Sequence, residues 1–378
     1  MSDRCIFFSA GDESGDMHAA NLMHALRERL PDAKFAGMGM SRMETAGMKT
    51  VQPDKTRDSA MWFHNILRMG LFKERLEACK DFLKRENPAL VVLVDFGGFN
   101  LCLAKAAQKI GVKVLYYIPP QVWAHGTYRL KKIRKWVDKA AIIYPFEKAL
   151  YERWNVDATY VGHPIFDELA RNPVEDGEIE AIKPESEERL IALFPGSRKQ
   201  EISANLPILT TAARNIASQI PETTFAMVCP PEVRPVAEEL LDDFAVDVAL
   251  LSCRALALVR VAELCLTKSG TITLEIASQR TPMVICYKVH PLVYFLGKGV
   301  IKTPFVGLVN NLAGTMICPE KIMYRNDSGW LTDQALELLS QPETYRKCRS
   351  DIDEVMDGFD RPGASARTAE IVENMLED

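Results

Sequence analysis

The sequence lacks the features that mark several common classes of protein. Its nine cysteines form no Cys-x-x-Cys pair, and no cluster of histidine and cysteine has the spacing of zinc ligands. A disulfide framework is therefore not expected, and reduced thiols in a cytoplasmic protein are the simpler interpretation.

Long apolar runs are also missing. The longest apolar region, 89–104, contains Asp95 and Asn100, whereas a membrane-spanning helix needs about 20 mainly apolar residues. The apolar run 5–10 is followed by the polar string GDESGD, and a secretory signal needs ~7–15 apolar residues before its cleavage site. We therefore expect neither a signal peptide nor a membrane span.

Excess positive charge is absent as well, because the net charge is −5 over 378 residues. A nucleic-acid-binding domain is usually basic, so nucleic acid is not an expected partner. The Gly-x-Gly-x-x-Gly fingerprint of dinucleotide-binding proteins does not occur either. These absences leave an ordinary globular protein whose partners are small molecules or a membrane surface.

What is present is a regular alternation of short β-branched runs with longer amphipathic stretches. The run 89–94 (ALVVLV) is apolar on both faces, as in a strand buried within a parallel sheet. The alternation indicates βαβ units and an α/β fold. Further strands are predicted at 5–9, 113–118, 140–144, 158–161, 190–194, 224–228, 262–266 and 283–286, with helices at 15–30, 99–109 and 201–220.

The alternation pauses at 172–189, an acidic stretch rich in Pro and Glu without apolar periodicity. Such a stretch is typical of a linker or an exposed edge at a domain boundary. We therefore predict two Rossmann-like, doubly wound parallel-sheet domains, 1–168 and 169–350, that face a cleft. The helical segment 351–378 is expected to pack back on the first domain or to be exchanged between the subunits of a homodimer.

The turns after predicted strands carry the candidate site residues, because ligands of doubly wound sheets bind at the carboxyl ends of strands. The first is AGDESGD, residues 10–16. Its glycines allow a sharp turn, and Ser14 or Asp16 can cap the next helix. Its three acidic groups suit sugar hydroxyls better than a pyrophosphate, and an ordinary capped turn is the alternative.

A second turn, VDFGGFN at 94–100, begins with Asp95 at the end of the buried strand. Desolvation at that position raises the pKa of the carboxylate towards that of a useful general base. A structural aspartate that caps the next helix is the alternative.

A third turn, FPGSR at 194–198, has the chemistry of a phosphate site. Gly196 opens the backbone, Ser197 can donate a hydrogen bond, and Arg198 supplies a fixed cation for a diphosphate. The N-terminus of the following helix, which includes Glu201, adds its dipole. A capped turn is again the alternative.

Two further turns extend this chemistry. In KSGTITLE, 268–275, the backbone amides of the Ser-Gly-Thr turn suit a phosphate and the carboxylate of Glu275 suits ribose hydroxyls. An imperfect capping box, Thr271 with a later glutamate, is the alternative there. In LVNNLAG, 308–314, adjacent amides indicate contact with uracil or phosphate, with a plain turn as the alternative.

Together these motifs resemble those of the lipid-A-disaccharide synthase family of GT-B glycosyltransferases. The family's AGE-x-SGD and ID-x-x-DFN resemble AGDESGD and VDFGGFN, and its VSPSVWAW resembles IPPQVWAH at 118–125. Its PFE, VGHP, LPGSR, SGT-x-x-LE and LPNLLAG resemble segments that begin at residues 145, 161, 194, 269 and 308. Each motif alone is weak, but eight in the family's order are specific.

The resemblance implies a GT-B architecture and an inverting transfer. UDP-2,3-diacylglucosamine donates its sugar to the 6-hydroxyl of 2,3-diacylglucosamine 1-phosphate (lipid X), which gives the β-1,6 disaccharide of lipid A biosynthesis and UDP. No metal and no cofactor are expected. The implied site residues are Asp95 and Arg198 for catalysis, Asp12, Ser14, Gly15, Asp16, His18, Asn100 and Trp123 on the acceptor side, and Gly196, Ser197, Arg198, Glu201, Ser269, Gly270, Thr271, Glu275 and Asn310 for UDP.

Departures from the family pattern concentrate on the acceptor side. Asp12 replaces a glutamate, Gly98 replaces an aspartate, Pro119 and Gln121 replace two serines, and His125 replaces a tryptophan. The UDP-sugar motifs are better preserved than the acceptor motifs.

Both implied substrates are lipids, so the resemblance implies a peripheral protein at the cytoplasmic face of the inner membrane. The apolar segment 61–72, with basic residues beside it, is typical of an interfacial helix, and a core-facing helix is the alternative. The predicted membrane contacts are Trp62, Phe63, Met69, Leu71 and Phe72.

Two other interpretations stay open. Another GT-B enzyme of UDP-sugars, either a murein-type N-acetylglucosaminyltransferase or a UDP-sugar 2-epimerase, shares the nucleotide domain, and a 2-epimerase needs no acceptor. A non-catalytic lipid-binding relative is the other interpretation, although the presence of Asp95 and Arg198 argues against it.

Overall fold

The computed structural model describes residues 5–51, 68–124, 126–183, 188–244, 246–292, 294 and 303–377. It has two compact units: unit 1 comprises Met1–Arg171 with Arg361–Asp378, and unit 2 comprises Asn172–Asp360. The chain therefore crosses between the units after Arg171 and after Asp360, whereas the predicted boundaries lie after residues 168 and 350. Within the described ranges, no helix combines the length and the apolarity that crossing a membrane requires.

Unit 1 is built on one parallel sheet. Its strands are β1 (Cys5–Ser9), β2 (Lys34–Met38), β3 (Met48–Thr50), β4 (Leu90–Val94), β5 (Lys113–Tyr117), β6 (Lys139–Ile142) and β7 (Ala158–Tyr160). Their order in the sheet is β3-β2-β1-β4-β5-β6-β7, and all neighbours pair in parallel. The helices are α1 (Glu13–Arg29), α2 (Ser41–Thr45), α3 (Arg68–Glu86), α4 (Gly97–Lys109), α5 (Leu130–Trp136), α6 (Glu147–Arg153) and α7 (Ile165–Arg171).

The core of unit 1 explains why its central strands are apolar. All five residues of β4 are buried, because the strand has neighbours on both edges and packed layers on both faces. Phe7, Val91, Phe99 and Tyr116 belong to one hydrophobic cluster on this sheet. The burial of β4 on both faces therefore confirms the buried strand that was predicted from this apolar run.

Unit 2 repeats this architecture with a smaller sheet. Its strands are β8 (Arg189–Phe194), β9 (Thr223–Val228), β10 (Ala249–Leu251), β11 (Leu264–Lys268), β12 (Met283–Lys288) and β13 (Glu320–Met323). The order is β10-β9-β8-β11-β12-β13, again all parallel. The helices are α8 (Asp176–Glu180), α9 (Lys199–Ala217), α10 (Arg234–Asp242), α11 (Ala255–Val261), α12 (Ile272–Ser278), α13 (Leu308–Ala313), α14 (Ser328–Ser340) and α15 (Pro342–Met356).

The acidic stretch at 172–189 is not a featureless linker. It contains α8, which begins with a capping box formed by Glu175 and Glu178. The guanidinium of Arg254 donates to the Glu178 carboxylate and, at 2.7 Å each, to the carbonyls of Asn172 and Pro173. These side-chain contacts order residues 172–180 without apolar periodicity, which is why the sequence pattern missed the helix.

The last helix, α16 (Ala364–Glu377), returns the chain to unit 1 and packs on α1. Its N-terminus is held by the buried carboxylate of Asp167, which accepts from the amides of Gly363, Ala364 (3.1 Å) and Ser365 (2.7 Å). A carboxylate at this position satisfies amides that have no partner within the helix and complements the helix dipole. Asp167 therefore fixes the C-terminal helix to unit 1.

Replacing this carboxylate is expected to weaken the protein. Asp167→Ala leaves three amides, two of them buried, without their acceptor, so we expect the free energy of unfolding to fall by about 2–3 kcal/mol. Urea unfolding followed by circular dichroism measures the loss. Asp81→Ala, at a site whose side chain is 71% exposed, is the control and is expected to change stability by less than about 0.5 kcal/mol. Equal losses in the two variants would contradict this role of Asp167.

Candidate active site

In each unit the strand order reverses between two central strands, β1 and β4 in unit 1 and β8 and β11 in unit 2. The connections leave these neighbours in opposite directions, which opens a crevice at their carboxyl ends where ligands of doubly wound sheets bind. The turn AGDESGD follows β1 and Asp95 follows β4, while FPGSR ends β8 and KSGT ends β11. These four turns, which the sequence singled out, therefore lie at the two reversal points.

The turn after β4 has an unusual backbone. Asp95 and Phe96 both have left-handed φ angles, +46° and +51°, a conformation that residues other than glycine seldom adopt. The buried Asn100 holds this turn, because its Nδ2 donates to the carbonyls of Val94 (3.1 Å) and Asp95 (2.8 Å). The hydroxyl of Tyr116 donates to the Asp95 carbonyl at 2.8 Å. Asn100, predicted to be an acceptor-side residue, thus contacts the backbone of Asp95.

The electrostatics of Asp95 suit a proton acceptor. Burial raises the pKa of its carboxyl to about 6, and the negative charge of Asp12 adds to the rise. Asp12 lies in the neighbouring turn after β1, and its own side chain accepts from the Gly15 amide at 2.8 Å. The carboxylate of Asp95 is therefore more basic than an ordinary aspartate, yet ionised near neutral pH.

The acidic residues of AGDESGD have different roles from those expected. Asp12, rather than Ser14 or Asp16, is the N-cap of α1, because the helix begins at Glu13. The buried Asp16 instead accepts from the amides of Met40 (2.6 Å) and Arg42 (3.0 Å) at the start of α2. Asp16 thereby ties α1 to the loop after β2.

The other acceptor-side candidates lie among buried aromatic and imidazole groups. The hydroxyl of Ser14 lies 3.3 Å from Nε2 of His18, and burial lowers the pKa of His18 to about 4, so its ring is neutral. The Trp123 ring packs edge-on against Tyr144 and Phe146, with centroids 5.9 and 5.0 Å away.

Sequence reasoning missed Glu147, which closes this cluster. It is buried at the start of α6 and accepts from the Tyr144 amide at 3.1 Å. Burial raises its pKa to about 8, against the opposing effect of the hydrogen bond from the Tyr144 amide. The PFE motif contains this residue, and the burial of a carboxyl group there could not be inferred from its spacing.

Unit 2 contains a cavity of about 400 Å³ that gathers most of the predicted nucleotide residues. It is lined by the turn after β8, by the turn after β11 and by the start of α12. The predicted residues in its wall are Gly196, Ser197, Arg198, Glu201, Ser269, Gly270, Thr271 and Glu275. The wall is completed by residues that were not predicted to bind the nucleotide: Phe194, Pro195, Val228, Pro230, Ala255, Lys268 and Ile272.

The turn after β8 requires glycine. Gly196 has a φ of +128°, and a Cβ atom there would lie 2.5 Å from Cβ of Glu201. This close approach lets Oε2 of Glu201 accept from the Ser197 amide at 3.1 Å, while Oε1 accepts from Lys268 Nζ at 2.7 Å and lies 3.4 Å from Arg198. Burial tends to raise the pKa of Glu201, but the bond from Lys268 outweighs it together with the other donors, so the pKa is lowered.

One of the two hydroxyl groups of the Ser-Gly-Thr turn after β11 is used within unit 2. The Ser269 hydroxyl is engaged with the Val306 carbonyl at 2.5 Å, whereas Thr271 is exposed and does not cap α12 with its side chain. Further along, burial raises the pKa of Glu275 to about 7. A half-buried carboxylate with these properties can accept hydrogen bonds from a diol.

Asn310 lies outside this wall. It is completely buried, and its Nδ2 donates to Cys318 O and Glu320 Oε2, both at 2.8 Å. Its Oδ1 accepts from the amides of Ile317 and Cys318, both at 2.9 Å. Both ends of the side chain are therefore used within unit 2, so Asn310 organises the loop that precedes β13 rather than presenting its amide to a ligand.

Two of the predicted membrane residues have described side chains. Phe72 packs edge-on against Phe99, with ring centroids 5.2 Å apart, and contributes to the core of unit 1, as the core-facing alternative expects. Leu71 is half-buried. Trp62 and Phe63, and the side chain of Met69, lie outside the described residues.

Removing the Asn100 side chain, which holds the turn at Asp95, is expected to destabilise the protein. Asn100→Ala deletes a donor to the carbonyls of Ser9, Val94 and Asp95 and the acceptor of the Ser9 hydroxyl, so we expect a loss of about 2–3 kcal/mol in the free energy of unfolding. Thermal or urea unfolding provides the measurement. The exposed Asn326, which accepts from one amide, serves as control, with a loss below about 1 kcal/mol expected for Asn326→Ala. A loss of unfolding free energy in Asn100→Ala no greater than that in Asn326→Ala would rule out this role of Asn100.

Comparison with known proteins gives full-length matches. The sequence profile of the family described as lipid-A-disaccharide synthetase matches residues 6–375. The chain is 33% identical to the lipid-A-disaccharide synthase of Coxiella burnetii (strain Dugway 5J108-111) over 383 aligned positions that cover 100% of both proteins. It is 34% identical to that of Geobacter sulfurreducens over 380 positions, which cover 98% of this chain and 97% of the relative.

Solved structures share the fold at lower identity. A putative UDP-N-acetylglucosamine 2-epimerase from Listeria monocytogenes has a TM-score of 0.65 and 16% identity, and the match covers 97% of this chain and 95% of the other. MurG of Acinetobacter baumannii has a TM-score of 0.58 and 12% identity, with coverage of 98% and 99%. The two parallel-sheet units are thus those of the GT-B fold that glycosyltransferases and epimerases share. The full-length sequence matches show that the chain belongs to the lipid-A-disaccharide synthase family of glycosyltransferases.

Proposed function

We propose that the protein transfers the sugar of UDP-2,3-diacylglucosamine to the 6-hydroxyl of 2,3-diacylglucosamine 1-phosphate. The products are the β-1,6-linked lipid A disaccharide 1-phosphate and UDP, with inversion at the anomeric carbon. The observation that carries the proposal is the pair of reversal-point turns: a basic, half-buried carboxylate in unit 1 and a cation-bearing cavity in unit 2. Family membership supplies the substrate class, a UDP-sugar and a lipid.

On the donor side, the cavity of unit 2 binds UDP. Arg198 and the amides of the turns after β8 and β11 hold the diphosphate, and Glu275 accepts from the ribose hydroxyls. As the glycosidic bond to the diphosphate breaks, negative charge builds up on the leaving phosphate. Fixed donors that stand ready for this charge lower the barrier, because they need no reorganisation during the reaction.

On the acceptor side, Asp95 takes the proton of the attacking 6-hydroxyl. Attack from the face opposite the diphosphate inverts the anomeric centre, and the acceptor proton passes to the carboxylate. Asn100 and Tyr116 fix the backbone that carries Asp95, so the carboxylate is held in place. Asp12 raises its basicity. His18 and Trp123 belong to the wall that the acceptor sugar contacts.

The lipid substrates place the protein at a membrane. We propose that unit 1 contacts the cytoplasmic face of the inner membrane through the segment 61–71, and that Phe72 anchors this segment to the core.

The C-terminal helix α16 packs on α1 without exchange between the subunits of a homodimer. The hydrogen bond from the Ser365 amide to the Asp167 carboxylate supports a helix that stays with its own unit.

A UDP-sugar 2-epimerase is the second candidate, because solved epimerases share the fold. The two functions differ in their need for an acceptor. We would incubate the purified protein with UDP-2,3-diacylglucosamine, with and without 2,3-diacylglucosamine 1-phosphate, and measure UDP. The proposal expects UDP release only when both lipids are present. Conversion of the donor without the acceptor would favour the epimerase, and binding of UDP without turnover would favour a non-catalytic relative.

Loss of the arginine is expected to affect turnover more than folding. Arg198→Ala removes a charged donor from the leaving diphosphate, so kcat should fall by about 10²–10³-fold. Its side chain is 49% exposed, so the unfolding midpoint should stay near that of the wild type. Steady-state kinetics and urea unfolding measure the two effects. A normal kcat in Arg198→Ala would remove Arg198 from the mechanism.

The pH dependence of kcat/KM tests the role of Asp95. A general base acts only when deprotonated, so kcat/KM should rise with pH up to about 6, the raised pKa of this group, and then level off. Asp12→Asn keeps a capping side chain but removes the negative neighbour, so the acidic limb should move to lower pH. In Asp95→Asn the residual activity should lose this limb. A limb that persists unchanged in both variants belongs to another group, such as the acceptor phosphate.

A further inference from the structure

We infer that Lys268 is a second phosphate-binding cation of the unit 2 cavity, and that Glu201 positions it together with Arg198. The inference rests on the proposed function in one respect: it names a further residue of the site that we assign to UDP. Lys268 precedes the Ser-Gly-Thr turn and was not among the nucleotide residues expected from the sequence.

The sheet brings Lys268 to the diphosphate side of the cavity. Strands β8 and β11 are parallel neighbours, with Thr267 opposite Phe194. Lys268 is the last residue of β11, so it lies next to the turn that follows β8 and carries Arg198. Lys268 lies in the wall of the cavity, and 22% of its side chain is exposed.

A single carboxylate gathers the donors of this wall. Oε1 of Glu201 accepts from Lys268 Nζ at 2.7 Å and lies 3.4 Å from Arg198 Nη1, and Oε2 accepts from the Ser197 amide at 3.1 Å. Within this group of three side chains, two cations and one ionised carboxylate leave a net positive charge, which complements a diphosphate. Because Glu201 contacts both cations, it limits the rotamers they adopt before the ligand arrives.

The charge of the wall depends on these two cations. Among the described residues that line the cavity, Arg198 and Lys268 are the basic ones. The turn that follows Lys268 is open towards the cavity, because a Cβ atom at Gly270 would meet no heavy atom within 4 Å. A phosphate held by the amides of this turn therefore lies within the reach of the lysine, which is the adjacent residue.

The alternative is a salt bridge that serves only to neutralise Glu201. The two possibilities differ in which part of UDP depends on the lysine for its binding. A phosphate contact concerns the charged half of UDP and leaves the uridine half unaffected. A neutralising salt bridge acts through the folding of the wall and changes the binding of both halves together.

The experiment compares uridine, UMP and UDP by isothermal titration calorimetry on the full-length protein at fixed ionic strength. In Lys268→Met we expect the affinity for UDP to fall by about 10- to 100-fold, while the affinity for uridine stays within about twofold of the wild type. Lys268→Arg should restore most of the UDP affinity, because it keeps the charge. Lys288→Met is the matched control, since Lys288 ends the next strand and donates to the Ala204 carbonyl at 3.0 Å, outside the cavity wall.

A double variant separates the two possibilities. If Lys268 binds phosphate, Glu201→Gln combined with Lys268→Met retains the low ratio of UDP to uridine affinity. Recovery of the wild-type ratio in the double variant, or an equal loss for UDP and uridine in Lys268→Met, would overturn the inference. The proposed reaction fails separately, when the wild-type protein binds UDP but forms no disaccharide.

Discussion

The parallel pairing of β1 with β4, and of β8 with β11, is the constraint on which the rest of the structure depends. Each pair is central in its sheet, so both faces are covered, and the polar residues of these strands lie at or next to the strand ends. At the carboxyl ends the chain leaves the sheet and its side chains can reach a ligand. The charged groups that the proposed mechanism uses, Asp95 in unit 1 and Arg198 in unit 2, stand just beyond these ends, so the packing of the core determines where they lie.

Removing a charged group from water is unfavourable, and the neighbours of each group determine how far its charged form is stabilised. The burial of the Asp95 carboxylate is only partly compensated. Asn100 and Tyr116 donate hydrogen bonds to its backbone carbonyl, but the carboxyl group keeps a raised pKa of about 6. The burial of Glu201 is compensated by Lys268 and the Ser197 amide, which keep the group ionised. The first arrangement favours proton transfer, and the second favours the binding of an anion.

The central strands and the turns after them could be predicted, because a short run that is apolar on both faces is typical of a strand covered on both sides. Strand β2 (KFAGM) and the edge strands β3, β10 and β13 were missed, since they are short or charged. Position 37 in β2 must be glycine, because a Cβ atom there would lie 2.0 Å from the Phe8 carbonyl oxygen. Only the folded sheet reveals this constraint. The roles of Asp16 and Asn310 were also beyond the sequence, because a carboxylate or an amide can satisfy itself on distant backbone groups as readily as on a ligand.

We propose that the protein joins two lipid sugars. The most direct measurement is the identification of the product that purified protein forms from UDP-2,3-diacylglucosamine and 2,3-diacylglucosamine 1-phosphate, by mass spectrometry and by NMR of the new glycosidic bond. Our account predicts a tetraacylated disaccharide 1-phosphate with a β-1,6 linkage, formed in amounts equal to the UDP released. An α linkage, a donor altered at its second carbon, or UDP released without any disaccharide would contradict it.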